Sequence, residues 1–282
     1  MSDDLRVERA ARLVEFLRET LPGWKRSTLE QRVKAGAVSV NGKVVRRNDL
    51  LAPGDVVEVG AREAKSPSGP AGLTILHEDE WLVAVNKPAG LLSVSTDSER
   101  ERTALALLKE QFGRPGRPAR LWPVHRLDRE TSGVLLFARD RDIQDIVQAR
   151  WNEARKVYLA WVVGTPKPAA DTIDQPLWED GSLFVRVGHR DDAREARTHY
   201  RTLETRDDQS LLEVELDTGR RHQIRAHLAW LGHPVVGDER YGTRARRMLL
   251  HALRLELPHP TQPTRLILEA PPPRAFALDA ET

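Results

Sequence analysis

The chain contains a continuous hydrophobic run at residues 134–138, bounded by Ser132-Gly133 before it and Arg139-Asp140 after it. A run of this length between turn-forming residues favours a buried strand over a helix. Apolar alternation predicts further strands, and apolar residues spaced three to four apart predict helices. The predicted strands lie at 73–76, 81–85, 155–163, 183–187, 197–204, 210–217, 249–257 and 264–269, and the predicted helices at 103–112, 143–151 and 221–231, the last capped by Gly232. The pattern indicates an α+β fold with a mixed, largely antiparallel sheet and flanking helices.

The first 60 residues follow a different pattern, which predicts two helices and a small hairpin sheet. Apolar positions at helical spacing indicate a first helix within residues 5–21, ended by a Pro-Gly pair. Ser27 and Glu30 have the spacing of a capping box, so a second helix is predicted to begin there and to run to about Lys34.

Asn41-Gly42 predicts a hairpin, because both residues tolerate a positive φ. The sequence between 61 and 72 is rich in Ser, Pro and Gly, which is typical of an exposed linker. We therefore expect a small N-terminal domain at 1–60, a linker at 61–72 and a larger domain at 73–282.

The composition is that of an ordinary globular protein, with 40% hydrophobic and 30% charged residues among 282. The absence of cysteine excludes disulfides, thiolate metal sites and a cysteine nucleophile. The acidic first residues do not suggest a secretory signal, and no stretch approaches the roughly 20 apolar residues of a membrane span. A cytoplasmic protein is expected.

Basic residues cluster in the N-terminal region, where the net charge of residues 24–47 is +6 although the whole chain carries only +2. A compact basic unit of this kind is a candidate phosphate-binding face, and the alternative is a merely solvated surface. The only acid in this region is Glu30, and the basic residues are Lys25, Arg26, Arg32, Lys34, Lys43, Arg46 and Arg47.

Four segments of the larger domain carry more polar character than a core or a plain surface needs. Asp128 precedes the hydrophobic run and lies between two arginines, which on its own is equally consistent with a surface ion-pair cluster. Lys156 and Tyr158 are expected on one side of a strand. Segment 218–227 contains several cationic residues that a helix would group on shared faces, and it is followed by a turn-rich loop at 235–242.

Most familiar catalytic arrangements do not fit these residues. His222 and His227 are five apart without the glutamate of a zinc protease, so no metal site is expected. The region of Ser132 has no nucleophile-elbow pattern, and no glycine loop of the phosphate-cradling type is present. What remains is Asp128, which neighbouring cations should keep ionised and able to act as a nucleophile or an electrostatic stabiliser.

Two resemblances give these residues a context. Residues 26–59 resemble the alpha-L RNA-binding domain of ribosomal and RNA-modifying proteins. His125-Arg126-Leu127-Asp128 and the segment 131–136 resemble the signature of the RluA-type large-subunit and dual-specificity pseudouridine synthase family. Other motifs of that family are matched, in order, at 86–91, 156–158, 218–225, 237–242, 251–255 and 259–260.

The second resemblance implies an enzyme that isomerises uridine to pseudouridine in structured RNA, with 23S ribosomal RNA as the expected substrate. Transfer RNA and a non-catalytic RNA-binding assembly factor are the alternatives. It implies that Asp128 is the catalytic aspartate, that Tyr158 packs on the target base and that Arg225 pairs with the aspartate. Arg126 would enter the base stack when the uridine flips out. Attack on the sugar, attack on the base and elimination all stay open as chemical routes.

The resemblances also imply an RNA-binding surface in both domains. No cofactor, metal or membrane partner is expected, and the protein is expected to be a monomer. The residues expected to contact RNA are His125, Arg126, Arg129, Lys156, Arg220, Arg221, His222 and Gln223 in the larger domain, and Lys25, Arg26, Arg32 and Lys34 in the smaller one.

Overall fold

The computed structural model divides into two compact units, Met1–Ser66 and Pro67–Thr282. It describes residues 5–21, 26, 29–30, 33, 38–45, 47–59, 73–94, 103–114 and 118–276. The expected linker at 61–72 lies outside the described residues. Among the helices that these ranges contain, none is both long and apolar enough to cross a membrane.

The first unit combines a helix with a small antiparallel sheet. Its four-stranded sheet has the order β1-β6-β3-β4, and β2 pairs with β5 separately. Among the described residues, the buried apolar core includes Leu13 and Leu17 of the helix and Val57 of the sheet. The elements are β1 Leu5–Arg6, β2 Ala11–Arg12, α1 Leu13–Thr20, β3 Val38–Val40, β4 Lys43–Val45, β5 Leu50–Leu51 and β6 Val56–Val59.

The hairpin prediction is confirmed, because Asn41 and Gly42 connect β3 to β4 with φ values of 51° and 74°. The first helix is shorter than expected: it begins only at Leu13, because Leu5 pairs with Val57 in the sheet. Of the second predicted helix, the described residues include Leu29, which is buried and helical. Glu30 of the capping box and Val33 are also described and helical, whereas Ser27 and the predicted end at Lys34 lie outside the described part of the chain.

The second unit is built on a ten-stranded sheet of order β12-β15-β16-β11-β17-β10-β8-β7, with β9 paired to β10 and β18 to β17. Within the described residues, β10 and β17 pair in parallel and the other strand pairs are antiparallel. The predicted α+β class is therefore confirmed. The strands are β7 Thr74–Glu78, β8 Leu82–Lys87, β9 Trp122–Pro123, β10 Ser132–Ala138, β11 Arg155–Val163, β12 Ala170–Asp174, β13 Leu177–Glu179, β14 Val185–Val187, β15 Arg197–Arg206, β16 Gln209–Leu216, β17 Leu250–Pro258 and β18 Arg265–Glu269.

Helices cover the sheet and bury its central strands. The helices are α2 Ala104–Phe112, α3 Arg141–Ala149 and α4 Gln223–Trp230, with short 3-10 turns at Trp151–Glu153 and Arg274–Phe276. All seven residues of β10 are buried, and they alternate between two clusters. Val134 and Leu136 pack with α3, whereas Leu135 and Phe137 pack with α2.

The start of β10 is fixed by a close approach of two backbones. Gly133 lies opposite Ala252 of the parallel strand β17 and has a φ of 116°. A Cβ at this position would overlap the carbonyl group of Ala252, so only glycine fits. Ser132 Oγ also lies 2.9 Å from Nδ1 of the buried His251. The loop that precedes β10 therefore leads into a buried and closely packed strand.

Candidate active site

Two buried polar side chains, Ser93 and Lys87, form hydrogen bonds to the backbone of the loop before β10. The hydroxyl of Ser93 both donates to the carbonyl of Leu127, at 2.7 Å, and accepts from its amide, at 3.0 Å. Lys87, which has no solvent-exposed surface, donates from Nζ to three carbonyl oxygens, including that of Arg129 at 3.0 Å. Burial lowers the pKa of Lys87 to about 8, against the opposing charges of Glu130 and Asp128. Asp128 thus sits in a loop whose backbone is anchored on both sides.

Arg225 connects Asp128 to a second, buried carboxylate, that of Asp238. Its Nη1 donates to Asp128 Oδ2 at 2.9 Å. Its Nε and Nη2 donate to the two carboxylate oxygens of Asp238, at 2.7 and 2.8 Å. Asp238 is only 1% exposed and also accepts from the backbone amides of Arg240 and Tyr241. Burial alone would lower the pKa of Arg225, but the two aspartates raise it above its ordinary value. The guanidinium is therefore a permanent, oriented cation.

Tyr158 lies on β11, where a bulge in the pairing with β17 falls between Val157 and Tyr158. Such a bulge redirects the side chains that follow it. Burial, and then the negative charge of Asp128, raise the pKa of the Tyr158 phenol above its ordinary value. The hydroxyl is therefore protonated at neutral pH.

His222 also lies beside Asp128. Its φ of 51° places it in the left-handed region just before α4, and its Nε2 lies 3.8 Å from Asp128 Oδ2. Burial, with nearby arginines, lowers its pKa to about 4 although Asp128 opposes the shift. The hydroxyl of Tyr241 accepts from the amide of Val185 and also lies within hydrogen-bond distance of Nδ1 of His222, at 3.0 Å. This contact fixes the orientation of the imidazole ring beside Asp128.

The side chains of Asp128, Tyr158, His222 and Arg225 line an open cleft, which we name the Asp128 cleft. The three residues expected to be catalytic, Asp128, Tyr158 and Arg225, all line it. Of the residues expected to contact RNA, the same cleft is lined by Arg126, Arg220, His222 and Gln223.

The remaining expected RNA contacts have other surroundings. His125 accepts from the amide of Leu136 at 3.1 Å and stacks on Trp151. Burial, with the nearby charge of Lys156, lowers the pKa of His125 to about 4. Lys156 is itself buried, and its Nζ reaches the carbonyl of Asp217 at 3.3 Å. These positions favour support of the cleft, and direct RNA contact by His125 and Lys156 stays a prediction.

The segment before α4 is arranged differently from expectation. The helix begins at Gln223 and not at Arg221, because His222 is left-handed, so the grouping of 220 and 221 on helical faces is wrong. The buried amide of Gln223 instead accepts from Thr218 and from the backbone of Arg220, and donates to β15. Its RNA contact stays a prediction, as does that of the exposed Arg221. At the helix end the Gly232 prediction is confirmed by a φ of 88°.

The remaining basic residues are only partly described. Arg129 is half-buried, and its carbonyl is the acceptor of Lys87. In the first unit, Arg26 is exposed and pairs with Glu30 at 2.9 Å. Lys25, Arg32 and Lys34 lie outside the described residues. Among the described residues, no three histidine or acidic side chains are grouped as metal ligands.

Sequence reasoning gave no role to four residues that build this site: Lys87, Ser93, Asp238 and Tyr241. A signal existed for Lys87, because a lysine at the end of the apolar segment 82–87 is unusual unless its ammonium group has a buried task. The contact of Asp238 with Arg225 had no signal of its own, because it joins residues that only the fold brings together.

Comparison with known proteins gives a consistent result for both units. A family described as RNA pseudouridylate synthase matches residues 81–230, and the S4 domain family matches residues 11–57. An uncharacterized RNA pseudouridine synthase of Chloroflexus aurantiacus is 37% identical over 90% of this chain and 84% of that protein. Ribosomal large subunit pseudouridine synthase D of Nitrosomonas europaea is 32% identical over 94% of this chain and 82% of that protein.

Two solved structures resemble this chain over about three-quarters of its length. Human RNA Pseudouridylate Synthase Domain Containing 4 superposes with a TM-score of 0.59 and 30% identity, over 72% of this chain and 89% of that one. Human RNA Pseudouridylate Synthase Domain Containing 1 superposes with a TM-score of 0.62 and 25% identity, over 75% of this chain and 89% of that one.

Proposed function

The chain belongs to the RNA pseudouridylate synthase family, and we propose that it isomerises specific uridines of large-subunit (23S) ribosomal RNA with Asp128 as the catalytic carboxylate. Its activity as an RNA pseudouridine synthase follows from the family; the substrate and the residue roles are our proposal. The observation that carries the proposal is the 2.9 Å contact between Arg225 and Asp128, in a cleft that Tyr158 also lines.

The reaction breaks the bond between N1 of uracil and C1′ of ribose and joins C1′ to C5. The proton of C5 is lost and N1 gains one, so substrate and product are isomers and no oxidant or co-reactant enters the balance. An ionised Asp128 can attack C1′ of the sugar, attack the base, or remove a proton from the ribose in an elimination. In each route Arg225 orients the carboxylate, and the clamp by Asp238 fixes Arg225.

We assign the other residues of the cleft to contacts with the target base and to the place that the base leaves in the RNA stack. We assign Tyr158 to packing against the uracil, where its protonated hydroxyl can donate a hydrogen bond or pass on a proton. The cleft is open to solvent, so a uridine extruded from the RNA stack can reach Asp128 there. Arg126 is exposed at this cleft, and we assign it to the place in the RNA stack that the uridine leaves.

Two findings favour ribosomal RNA. The S4 domain match and the basic region that contains Lys25, Arg26, Arg32 and Lys34 support a separate RNA contact by the N-terminal domain. The relative from Nitrosomonas europaea is named as a ribosomal large-subunit enzyme. We propose domains at 1–60 and 73–282 joined by 61–72, acting as a monomer in the cytoplasm.

Mapping pseudouridines in cellular RNA, with and without the gene, tests the substrate. We expect one or more pseudouridines of large-subunit ribosomal RNA to disappear with the gene and to return with a wild-type copy. Loss confined to transfer RNA would overturn the ribosomal assignment. Unchanged pseudouridine in both RNA classes would contradict any uridine-modifying role for these substrates.

A further inference from the structure

A second cleft opens beside the Asp128 cleft and shares Arg220 with it. We name it the Trp178 cleft. The hairpin β13–β14 forms one wall, and the backbone of Arg194, paired with that of Leu177, forms another. The remaining side chains at its surface include Glu179, Val185 and Arg221.

We propose that the Trp178 cleft binds a single-stranded nucleotide adjacent in sequence to the target uridine, with its base stacked on Trp178 and its phosphate facing the arginines. The inference rests on the proposed function for the identity of the RNA. It adds a residue that selects and positions the substrate without touching the reacting atoms.

Trp178 offers the ring face that such a nucleotide needs. It is half-buried, so the indole is supported from one side while it lines the cleft. The guanidinium of Arg190 lies 4.4 Å from the ring centroid, and a stacked base would take the place of this half-exposed arginine on the ring. Aromatic faces next to arginines are the usual means of holding single-stranded nucleic acid, because every base can stack on them.

The charges around Trp178 can be redistributed at low cost. Arg221 pairs with Glu179 at 2.9 Å and Arg190 with Asp192 at 3.0 Å, and all four side chains are substantially exposed. Exposed ion pairs contribute little to stability, so these arginines can exchange a carboxylate for an RNA phosphate. Arg194 and Arg220 add two further cations to the cleft surface.

Hydrogen bonds hold the Trp178 cleft in a fixed position relative to Asp128. The amide of Val185, in the hairpin, donates to the hydroxyl of Tyr241, which in turn bonds to His222. His222 lies 3.8 Å from Asp128. Leu177 and Val185 also pack on Ala226 of α4, the helix that carries Arg225. A base stacked on Trp178 would therefore place its neighbour at a defined distance from the reacting carboxylate.

The test combines Trp178→Ala with abasic substitutions in a short stem-loop RNA that contains the mapped uridine. Filter binding and pseudouridine formation are measured in parallel. We expect Trp178→Ala to raise Kd and KM about tenfold, the usual weight of one base–aromatic stack, with little change in kcat. An abasic nucleotide at one position next to the uridine should weaken wild-type binding by a similar factor and have little effect on Trp178→Ala.

Two variants serve as controls. Trp178→Phe keeps an aromatic face and should retain most of the binding. Trp230→Ala removes a tryptophan that is 54% exposed and not among the residues lining either cleft, and it should bind like the wild type.

Additive effects of Trp178→Ala and abasic substitution at every position would overturn the inference, as would unchanged binding by Trp178→Ala. The binding cycle does not depend on turnover. A wild-type enzyme that fails to isomerise the RNA would therefore contradict the proposed substrate while the cycle still reports on the Trp178 cleft.

Discussion

The Asp128 cleft and the Trp178 cleft share Arg220 but are built by different means. Around Asp128, the polar groups that fix the loop are buried: Lys87, Ser93 and the Asp238 partner of Arg225. Around Trp178, the ion pairs are exposed. Buried, fully paired polar groups hold one geometry, whereas exposed pairs can be exchanged. The Asp128 cleft, where the reaction is proposed to occur, is therefore held in one geometry. The Trp178 cleft, where RNA is proposed to bind, can adapt its ion pairs.

The largest difference between the clefts should come from removing one carboxylate in each. Asp238→Ala leaves the buried Arg225 without its main partner, and we expect a loss of about 3–5 kcal/mol in the free energy of unfolding. Asp192→Ala, in the Trp178 cleft, removes a carboxylate that is 59% exposed and should cost less than about 1 kcal/mol. Urea unfolding of both variants measures the contrast. Equal losses would contradict the distinction.

The next-largest difference in stability should come from substituting one glycine in each region. Gly133→Ala forces a Cβ against the Ala252 carbonyl at a φ of 116°, and we expect a loss of about 3 kcal/mol from strain and overlap. Gly181, in the hairpin turn, has open space around it, and Gly181→Ala should change stability by less than about 0.5 kcal/mol. The same urea experiment measures both. A stable Gly133→Ala variant would show that β10 and β17 can separate.

Acid should affect His125, a half-buried histidine that stacks on Trp151 and accepts from the amide of Leu136. Burial lowers the folded-state pKa of His125 to about 4, so below its ordinary value of 6.5 the unfolded chain binds the proton first. The stability due to neutral His125 is therefore present above pH 6.5 and is lost as the pH falls toward 4. This group should contribute about 2 kcal/mol to the loss between pH 7 and 4.5. Urea unfolding at both pH values measures this loss.

His125→Gln should remove that part of the pH dependence. The exposed His189 provides the control, because His189→Gln should leave the dependence unchanged. If His125→Gln retained the full loss between pH 7 and 4.5, other groups would be responsible for it.

The smallest effect should be on RNA binding by the first unit. Replacing Lys25, Arg26, Arg32 and Lys34 by alanine should weaken binding and reduce the slope of log K against log salt by about one unit or less for each lost phosphate contact. Titrations at several salt concentrations measure the slope. A slope equal to that of the wild type would show that this face does not bind RNA.

Local patterns predicted much of the fold. The turn at Asn41-Gly42 and the buried run that became β10 depend on residues near each other in sequence. The short strands β12 and β13 were not predicted, because the exposed and irregular pattern of Ala170–Asp174 does not alternate. The first helix was placed too early, because pairing of Leu5 with Val57 overrides local helical spacing.

The candidate site was predictable to the extent that single residues carry a motif. Asp128, Tyr158 and Arg225 could be named from the sequence, and they line one cleft. The Asp238 clamp and the amide network of Gln223 depend on contacts across the fold, which no local spacing encodes. The left-handed conformation of His222 was not predicted for the same reason, because it is fixed by the surroundings of the residue.

Pseudouridine formation by purified Asp128→Asn most directly tests the role of Asp128 as the catalytic carboxylate. Asparagine keeps the size and the hydrogen-bonding oxygen of the side chain but removes its charge. We predict that the variant binds the RNA stem-loop like the wild type and forms pseudouridine on the order of 10³-fold more slowly, or not at all. Asp145→Asn, on the exposed face of α3, should be as active as the wild type. Near wild-type turnover by Asp128→Asn would contradict the assignment.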